Sequence, residues 1–485
     1  MFVVKMRVTS VKKNTFIACS QTFYLGAFIM SSVNRKAIRP TVKTHGGAKT
    51  YSPTSKEQLR RAVTSYMLWE DQFYENGIKI ADRISDLISK VSPDEVYQLA
   101  IDARTKFKLR HVPLFLARVM ASLPDHKGKV AKLLPEIIQR PDELTEFLSI
   151  YWKDGKCPLS AQVKKGLSKA FRKFNEYSLA KYNRDGKSVK LRDVLFLTHA
   201  KPMNKEQELL WKKLIADELE TPDTWEVEMS AKGNNKDSWE RLLREKKLGA
   251  LALIRNLRNM TEKSVDGDLI KSAINEMDVS RVLPFRFITA AKHAARWEPE
   301  LEKALFRCTE GLTKLPGKTV LVVDVSGSMY NSGIAKYSEM DRARAACALA
   351  MLVREMCEEP IIYATAGNDG TRVHKTELVP ARRGFALSDG IYNMCRPLGG
   401  GGIFLKQVMN YIKPQVGAVD RVIVITDEQD CDVAGSPNDA DAFGKHNYII
   451  NVASCQNGIA YGKFVHISGF SEAVLSFISQ YEQQQ

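Results

Sequence analysis

The stretch Val320-Leu321-Val322-Val323-Asp324-Val325-Ser326-Gly327-Ser328-Met329 is an apolar run that leads directly into a D-x-S-x-S loop. Branched apolar residues before Asp324 predict a fully buried parallel strand. Such a strand places the loop at its carboxyl end, where open α/β sheets bind their ligands. Gly327 lets the turn fold back, so that the Ser326 and Ser328 side chains can point the same way.

A second apolar strand, residues 421–426, ends at Asp427. By itself the D-x-S-x-S loop is also compatible with an Asp N-cap before a helix, and Asp427 shifts the balance towards a metal site. Carboxylates and hydroxyls suit a hard cation, Mg²⁺ or Mn²⁺, better than zinc. The predicted ligands are Asp324, Ser326, Ser328 and Asp427. This pattern resembles the metal-ion-dependent adhesion site of von Willebrand factor A domains.

Five strands are predicted in this part of the chain, at 319–324, 360–365, 421–426, 447–453 and 463–467. They alternate with helical stretches such as 340–357 and 404–412. The alternation predicts a doubly wound α/β domain with a parallel sheet over residues 316–485.

One position departs from the A-domain pattern. Those sites usually add a threonine from a loop between the two strands, whereas the loop here, Leu398 to Ile403, contains four glycines and no threonine. Because glycines let the backbone approach an ion closely, a carbonyl group or a water could replace the missing hydroxyl.

The 485 residues carry a formal charge of +16, and this charge is distributed unevenly. From Pro316 onward 15 basic residues face 18 acidic ones, a charge of −3, whereas residues 1–315 carry 57 basic and 38 acidic residues, a charge of +19. A solvated basic surface is one explanation. Such asymmetry is more typical of a protein that binds nucleic acid or a membrane.

The eight cysteines form no C-x-x-C pair, which favours reduced thiols in a cytoplasmic protein. No stretch reaches the roughly 18 to 20 apolar residues that span a bilayer, so we expect no membrane partner. Residues 1–29 resemble a poor signal peptide before a more natural start at Met30, and we expect an N-terminal extension over residues 1–38.

Residues 39–315 read as about a dozen amphipathic helices with short polar links, a pattern typical of a helical-repeat solenoid. One of these helices is predicted over 160–182. Within it Phe171, Phe174 and Tyr177 recur at spacings of three, which favours a role in the core.

Several motifs in the helical region occur in a recognisable order. They are His45-Gly46-Gly47-Ala48, Leu68-Trp69-Glu70-Asp71-Gln72-Phe73-Tyr74, Leu197-Thr198-His199-Ala200-Lys201-Pro202 and Ala252-Leu253-Ile254-Arg255-Asn256-Leu257-Arg258-Asn259-Met260. With the A-like domain that follows, they resemble the TROVE family of the Ro autoantigen. The resemblance implies an α-helical HEAT-like solenoid closed into a monomeric ring by the A domain. It also implies binding of Y-like RNA outside the ring and of single-stranded 3′ ends of misfolded noncoding RNA in its hole.

The residue chemistry is compatible with RNA. A basic cluster at helical spacing could contact several phosphates at once, so that binding would weaken steeply with salt. Its members are Lys164, Lys165, Lys169, Arg172 and Lys173. The family resemblance further implies that Lys181, His199 and Arg184 contact Y-like RNA, although the loop at Arg184 differs in length from the family pattern.

Arg255 and Arg258 lie three residues apart on a very apolar helix. They could line the inner wall of a ring and contact RNA, or form salt bridges between repeats, and the sequence does not separate these alternatives.

The sequence offers no nucleophile elbow, P-loop or paired nuclease carboxylates, so we predict a protein without enzymatic activity. The first hypothesis is an RNA-binding ring for RNA scaffolding, quality control or decay, with an exoribonuclease as a candidate partner. The alternative is a metal-dependent protein-interaction adaptor, in which an open position on the cation takes a partner's carboxylate.

Overall fold

The structure is a computed structural model that describes residues 41–66, 68–69, 71, 74–183, 188–310, 313–331, 333, 340–432, 441–460, 462–469 and 473–483. It begins with a two-stranded antiparallel hairpin, β1 (Thr41–Lys43) and β2 (Lys49–Tyr51). The predicted N-terminal extension lies outside the described residues.

Helices follow the hairpin. The first group is α1 (Ser55–Thr64), α2 (Gly77–Ile88), α3 (Pro93–Thr105), α4 (His111–Ser122), α5 (Lys127–Ile137), α6 (Pro141–Tyr151), α7 (Ala161–Phe171), α8 (Glu176–Tyr182), α9 (Leu191–Thr198) and α10 (Lys205–Ala216). Capping residues set where some of these helices begin. Ser92 caps α3 and is followed by Pro93 at the first helical position, and Ser160 caps α7. The first group packs around one apolar core.

The helix predicted over 160–182 is wrong in its continuity, because two helices occupy this stretch. Helix α7 ends at Phe171, and Asn175 begins α8 by accepting a hydrogen bond from the Ser178 amide. Asn favours such caps over helix interiors, which explains the break.

A second group of helices leads to the α/β domain. It consists of α11 (Trp225–Lys232), α12 (Lys236–Arg244), α13 (Ala250–Glu262), α14 (Gly267–Glu276), α15 (Phe285–His293) and α16 (Glu298–Phe306). Residues of α12 to α16 share one continuous core with one face of the sheet that follows. The predicted domain boundary between residues 315 and 316 separates the helical region from the α/β region in the sequence. In the structure, apolar residues from both sides of it pack in the same core.

The α/β domain contains β3 (Leu315–Asp324), α17 (Gly327–Tyr330), α18 (Arg342–Met356), β4 (Cys357–Asn368), β5 (Val373–Leu378), α19 (Gly384–Tyr392), α20 (Leu405–Val416), β6 (Val419–Thr426), β7 (Gly444–Asn451), β8 (Phe464–Ser468) and α21 (Ala473–Gln483). The strand order is β5-β4-β3-β6-β7-β8. The five predicted strands are confirmed. Strand β5 was not predicted, and it pairs antiparallel with β4, so the expectation of a wholly parallel sheet is wrong at this edge.

Strand β3 is central, and its side chains alternate between two cores. Leu321 and Val323 join the core shared with α12 to α16 and with α18, whereas Val320 and Val322 join a core with α20. Both faces are thus covered, as expected of a doubly wound sheet. Helices and sheet together confirm the predicted fold class of a helical region plus an α/β domain.

The α/β domain also contacts the first helices of the chain. Arg61 of α1 forms a buried ion pair with Glu428 at 2.7 Å, and Ser65 donates a hydrogen bond to the Asn451 carbonyl. The partners in these two contacts are 367 and 386 residues apart in the sequence. In the part of the chain that the structure describes, no helix is both long and apolar enough to cross a membrane.

Candidate nucleic-acid interface and metal site

The register of the sheet brings the predicted metal ligands together. Val323 of β3 pairs with Ile425 of β6, so Asp324 and Asp427 leave neighbouring strands at the same edge. Asp324 Oδ1 accepts a hydrogen bond from the Ser326 amide at 2.9 Å, and this bond closes the loop. The Ser326 and Ser328 hydroxyl oxygens then lie 3.3 Å apart.

The two carboxylates of this site are fully buried, and the charge of Asp427 acts on Asp324. Burial, followed by the charge of Asp427, raises the pKa of Asp324 to about 7. Asp427 Oδ1 accepts from the Gln429 amide, whereas its Oδ2 has no hydrogen-bond partner. A buried carboxylate oxygen without a partner is costly. The donor set therefore fits a hard divalent cation.

The glycine loop packs against the D-x-S-x-S loop. Gly327 donates its amide to the Gly401 carbonyl at 2.9 Å, and a Cβ atom at Gly327 would lie only 2.5 Å from the Gly400 oxygen. Gly327 is therefore required by this close approach. A hydroxyl does reach Asp324 from elsewhere: Thr426 Oγ1 donates to Asp324 Oδ2 at 2.6 Å. Among the described residues, no group of three or more His, Cys, Asp or Glu is arranged to hold a metal, so any cation here depends on hydroxyl groups and water.

Two residues near the site were not predicted from the sequence. Tyr74, from the segment before α2, forms a hydrogen bond with the Ser328 side chain. Arg342, at the start of α18, is only 2% exposed, and its Nη1 atom has no hydrogen-bond partner. Burial lowers the pKa of Arg342, and the nearby Asp427 and Glu75 carboxylates oppose that effect. Neither residue belongs to a local pattern that marks a metal site.

In the basic cluster, two of the lysines are free to face solvent and two members have local partners. Lys165 and Lys169 are exposed on α7. Arg172 Nε donates to the Lys201 carbonyl at 3.0 Å, and Lys173 Nζ donates to the Ile138 carbonyl at 2.6 Å. Lys164 is half-buried on the same helix. The first two lysines are thus the more available phosphate contacts.

The residues matched to Y-RNA positions lie at helix ends. Lys181 is in the last turn of α8, with its Nζ 5.9 Å from the centre of the Tyr182 ring. His199 caps the end of α9 in a left-handed conformation with φ of 50°, and it is exposed. Arg184 lies outside the described residues.

Arg255 and Arg258 are exposed on α13, and a third arginine joins them from α15. Together with Arg286 they line a pocket of about 340 Å³ that also includes Asn259 and Thr289. Burial and the neighbouring Arg255 lower the pKa of Arg286. Arg258 lies 3.5 Å from Glu262 of its own helix, an exposed contact of little energetic weight. Arg286 was not predicted from the sequence, because the packing of α15 brings it to the pocket and no sequence motif marks it.

Comparison with known proteins agrees with this architecture. The TROVE domain family matches residues 215–382, which run from the last turn of α10 through β5. Telomerase protein component 1 of Rattus norvegicus is 22% identical over 382 residues, and that of Mus musculus is 21% identical over 384. Each alignment covers 60% of this chain and only 14% of the relative.

Among solved structures, the Ro (RSR) protein of Deinococcus radiodurans superimposes with a TM-score of 0.56 and 16% sequence identity. The match covers 88% of this chain and all of that one, and it shows a shared fold. A match to the TROVE domain thus covers residues 215–382 of this chain, and the chain has the fold of that Ro protein.

Proposed function

We propose that this chain binds noncoding RNA at two places, a structured Y-like RNA on its outer helical surface and an unpaired 3′ end at the arginine pocket. In this proposal the helical region and the α/β domain form a closed monomeric ring. The protein then scaffolds RNA, or presents misfolded RNA for quality control or decay by an exoribonuclease, without catalysing a reaction itself.

The observation that carries this proposal is the convergence of Arg255, Arg258 and Arg286 on one exposed pocket. No apolar core requires three guanidinium groups at one opening, and their mutual repulsion opposes such an arrangement unless an anion compensates it. A phosphodiester backbone supplies that anion, and the planar guanidinium forks match phosphate oxygens.

A divalent cation at Asp324, Ser326, Ser328 and Asp427 is the second part of the proposal. The unpartnered Asp427 oxygen and the adjacent hydroxyls support it. When bound, the cation would supply positive charge that neutralises two buried carboxylates. The geometry favours a structural role over recruitment of a partner, because the described ligands are covered by the chain itself.

The decisive experiment compares one stem-loop RNA with and without an unpaired 3′ tail at fixed salt. We expect tighter binding of the tailed RNA, since an opening that admits a single strand excludes the much wider A-form duplex. Replacing Arg255, Arg258 and Arg286 with alanine should erase this increment. It should also reduce the salt slope of tailed binding by about 2, at roughly 0.7 per single-strand phosphate.

The matched control replaces Arg382 and Arg396, two exposed arginines of the α/β domain, with alanine. This variant should keep the full tail increment. Equal affinity of the wild-type protein for tailed and blunt RNA would contradict binding of 3′ ends, and it would leave a simple basic surface as the explanation.

A further inference from the structure

The predicted metal ligands are closed off from solvent. Asp324 and Asp427 are 0% exposed, Ser326 is 1% and Ser328 is 7% exposed. A cation site that recruits a second protein needs an accessible position where a carboxylate of that protein can bind. The low exposure therefore raises the question of which residues cover this site.

The cover comes from the opposite end of the chain. The Tyr74 hydroxyl forms a hydrogen bond with Ser328, one of the ligands, and the Tyr74 ring stacks on His45 with centroids 4.9 Å apart and planes 3° from parallel.

His45 belongs to the segment Thr44 to Ala48, which lies on the loop that follows Asp427. The His45 amide donates to Gln429 Oε1 at 2.9 Å, and the Ala48 amide donates to the Asp430 carbonyl at 3.2 Å. Gly46 is so close that a Cβ atom there would lie 2.5 Å from the same carbonyl oxygen. The position of this segment and the position of the ligand loop are thus coupled.

Two ion pairs hold the same junction. Arg61 and Glu428 are both buried, with side-chain exposures of 4% and 0%, and Glu428 directly follows Asp427. Arg83 of α2 binds Glu75, next to Tyr74, and also donates to the Ser454 carbonyl in the α/β domain. The junction therefore surrounds the site with contacts from β1 through α2.

We propose that the divalent-cation site is internal, with Tyr74 and the segment Thr44 to Ala48 occupying the side that a partner's carboxylate would otherwise take. The cation then stabilises docking of the first helices on the α/β domain. This gives the His-Gly-Gly-Ala motif a role in closing the site. The inference rests on the proposed cation and is independent of RNA binding.

The test measures Mn²⁺ binding to the full chain by electron paramagnetic resonance of the free ion. Tyr74→Phe keeps the ring that stacks on His45 and removes only the hydroxyl. We expect it to weaken Mn²⁺ binding by about three- to tenfold, the effect of losing one polar contact. Tyr177→Phe removes the hydroxyl of an exposed tyrosine, 48% accessible on α8, and should leave Mn²⁺ affinity unchanged.

Hydrogen exchange of the same proteins supplies the second measurement. Because ligand binding stabilises the docked state, Mn²⁺ should slow exchange in peptides that cover residues 41–51 of the wild-type protein and of Tyr177→Phe. It should have no such effect in Asp324→Ala or in the milder Ser328→Ala. Circular dichroism verifies that each variant is folded. If Asp324→Ala does not fold, the comparison is made with Ser328→Ala alone.

Three results would overturn the inference. They are no Mn²⁺ binding by the wild-type protein, unchanged Mn²⁺ affinity in Tyr74→Phe, or a hydrogen-exchange rate in residues 41–51 that Mn²⁺ does not change. Tighter Mn²⁺ binding in the presence of a short acidic peptide would also overturn it, because that requires an open coordination position. RNA affinity measured on the same samples keeps the two proposals separate. Loss of tail binding with intact Mn²⁺ effects would contradict only the RNA proposal.

Discussion

At the scale of single residues, the buried ion pair between Arg421 and Glu482 shows how the last helix is held. Arg421 Nε donates to Glu482 Oε1 at 2.6 Å, and the Tyr448 hydroxyl donates to the same oxygen at 2.9 Å. Burial by itself raises the pKa of Glu482, but the hydrogen bond and charge of Arg421 outweigh it, so the pKa is lowered. Helix α21 is thereby tied to β6 and β7.

We expect Glu482→Gln to lower the free energy of unfolding of the α/β domain at pH 7 by about 3 kcal/mol, because it leaves Arg421 buried without a charge partner. A lowered pKa in the folded state stabilises the protein above the ordinary value of 4.5, and this contribution is lost as the pH falls below it. Urea unfolding between pH 3.5 and 7 should therefore show a smaller acid-induced loss in the variant. Parallel curves for the two proteins would contradict this assignment.

The spacing of aromatic residues predicted burial correctly at two of three positions. The period-three aromatic pattern predicted core positions, and Phe171 and Phe174 are buried, with 0% and 7% exposure. Tyr177 is 48% exposed, so the prediction is wrong there. The break between α7 and α8 explains the difference, since it shifts the helical phase that the pattern assumed.

At the scale of elements, helix α7 presents a basic face whose members differ in availability. Lys165 and Lys169 are exposed, whereas Arg172 and Lys173 donate hydrogen bonds to backbone carbonyls of neighbouring segments. Nothing in the sequence distinguished the exposed pair from the hydrogen-bonded pair. The structure separates them because the helix ends at Phe171.

We expect Lys165→Ala with Lys169→Ala to reduce the slope of log affinity against log salt by about 2 for a duplex-like stem, at roughly 0.9 per phosphate contact. Arg172→Ala with Lys173→Ala is the matched comparison, and its slope should change less because those groups already have protein partners. Fluorescence anisotropy titrations at several salt concentrations measure both. An unchanged slope in the first variant would show that this face is only solvated.

At the scale of the whole molecule, two basic regions lie on different helix groups. Lys181 and His199 belong to the first group, α1 to α10, and the arginine pocket belongs to the second group, α11 to α16. The two groups contribute to different apolar cores. Separate cores allow one region to be altered without disturbing the packing of the other.

We therefore expect Lys181→Ala with His199→Ala to weaken binding of a compact Y-like stem-loop and to spare the gain from an unpaired 3′ tail. Each lost phosphate contact should lower the affinity and its salt dependence together. Competition between tailed and blunt RNAs on the same variant is the measurement. A reduced tail increment in this variant would show that the two regions act as one surface.

The sequence by itself determined the local features of this protein. Apolar runs that end in Asp324 and Asp427 predicted two neighbouring strands with carboxylates at one edge, because the side-chain period and burial of a central strand are written in consecutive residues. The uneven distribution of charge along the chain could also be read from the sequence. The antiparallel edge strand β5 was not, since its alternating, half-exposed residues give a weaker pattern.

Only the tertiary structure decided which distant residues meet. Arg286 joins Arg255 and Arg258 because α15 packs beside α13, and Tyr74 reaches Ser328 because the first helices dock on the α/β domain. The physical reason is range. Local propensities act over a few residues, whereas the Tyr74–Ser328 contact links positions about 250 residues apart and depends on how separate apolar faces pack together.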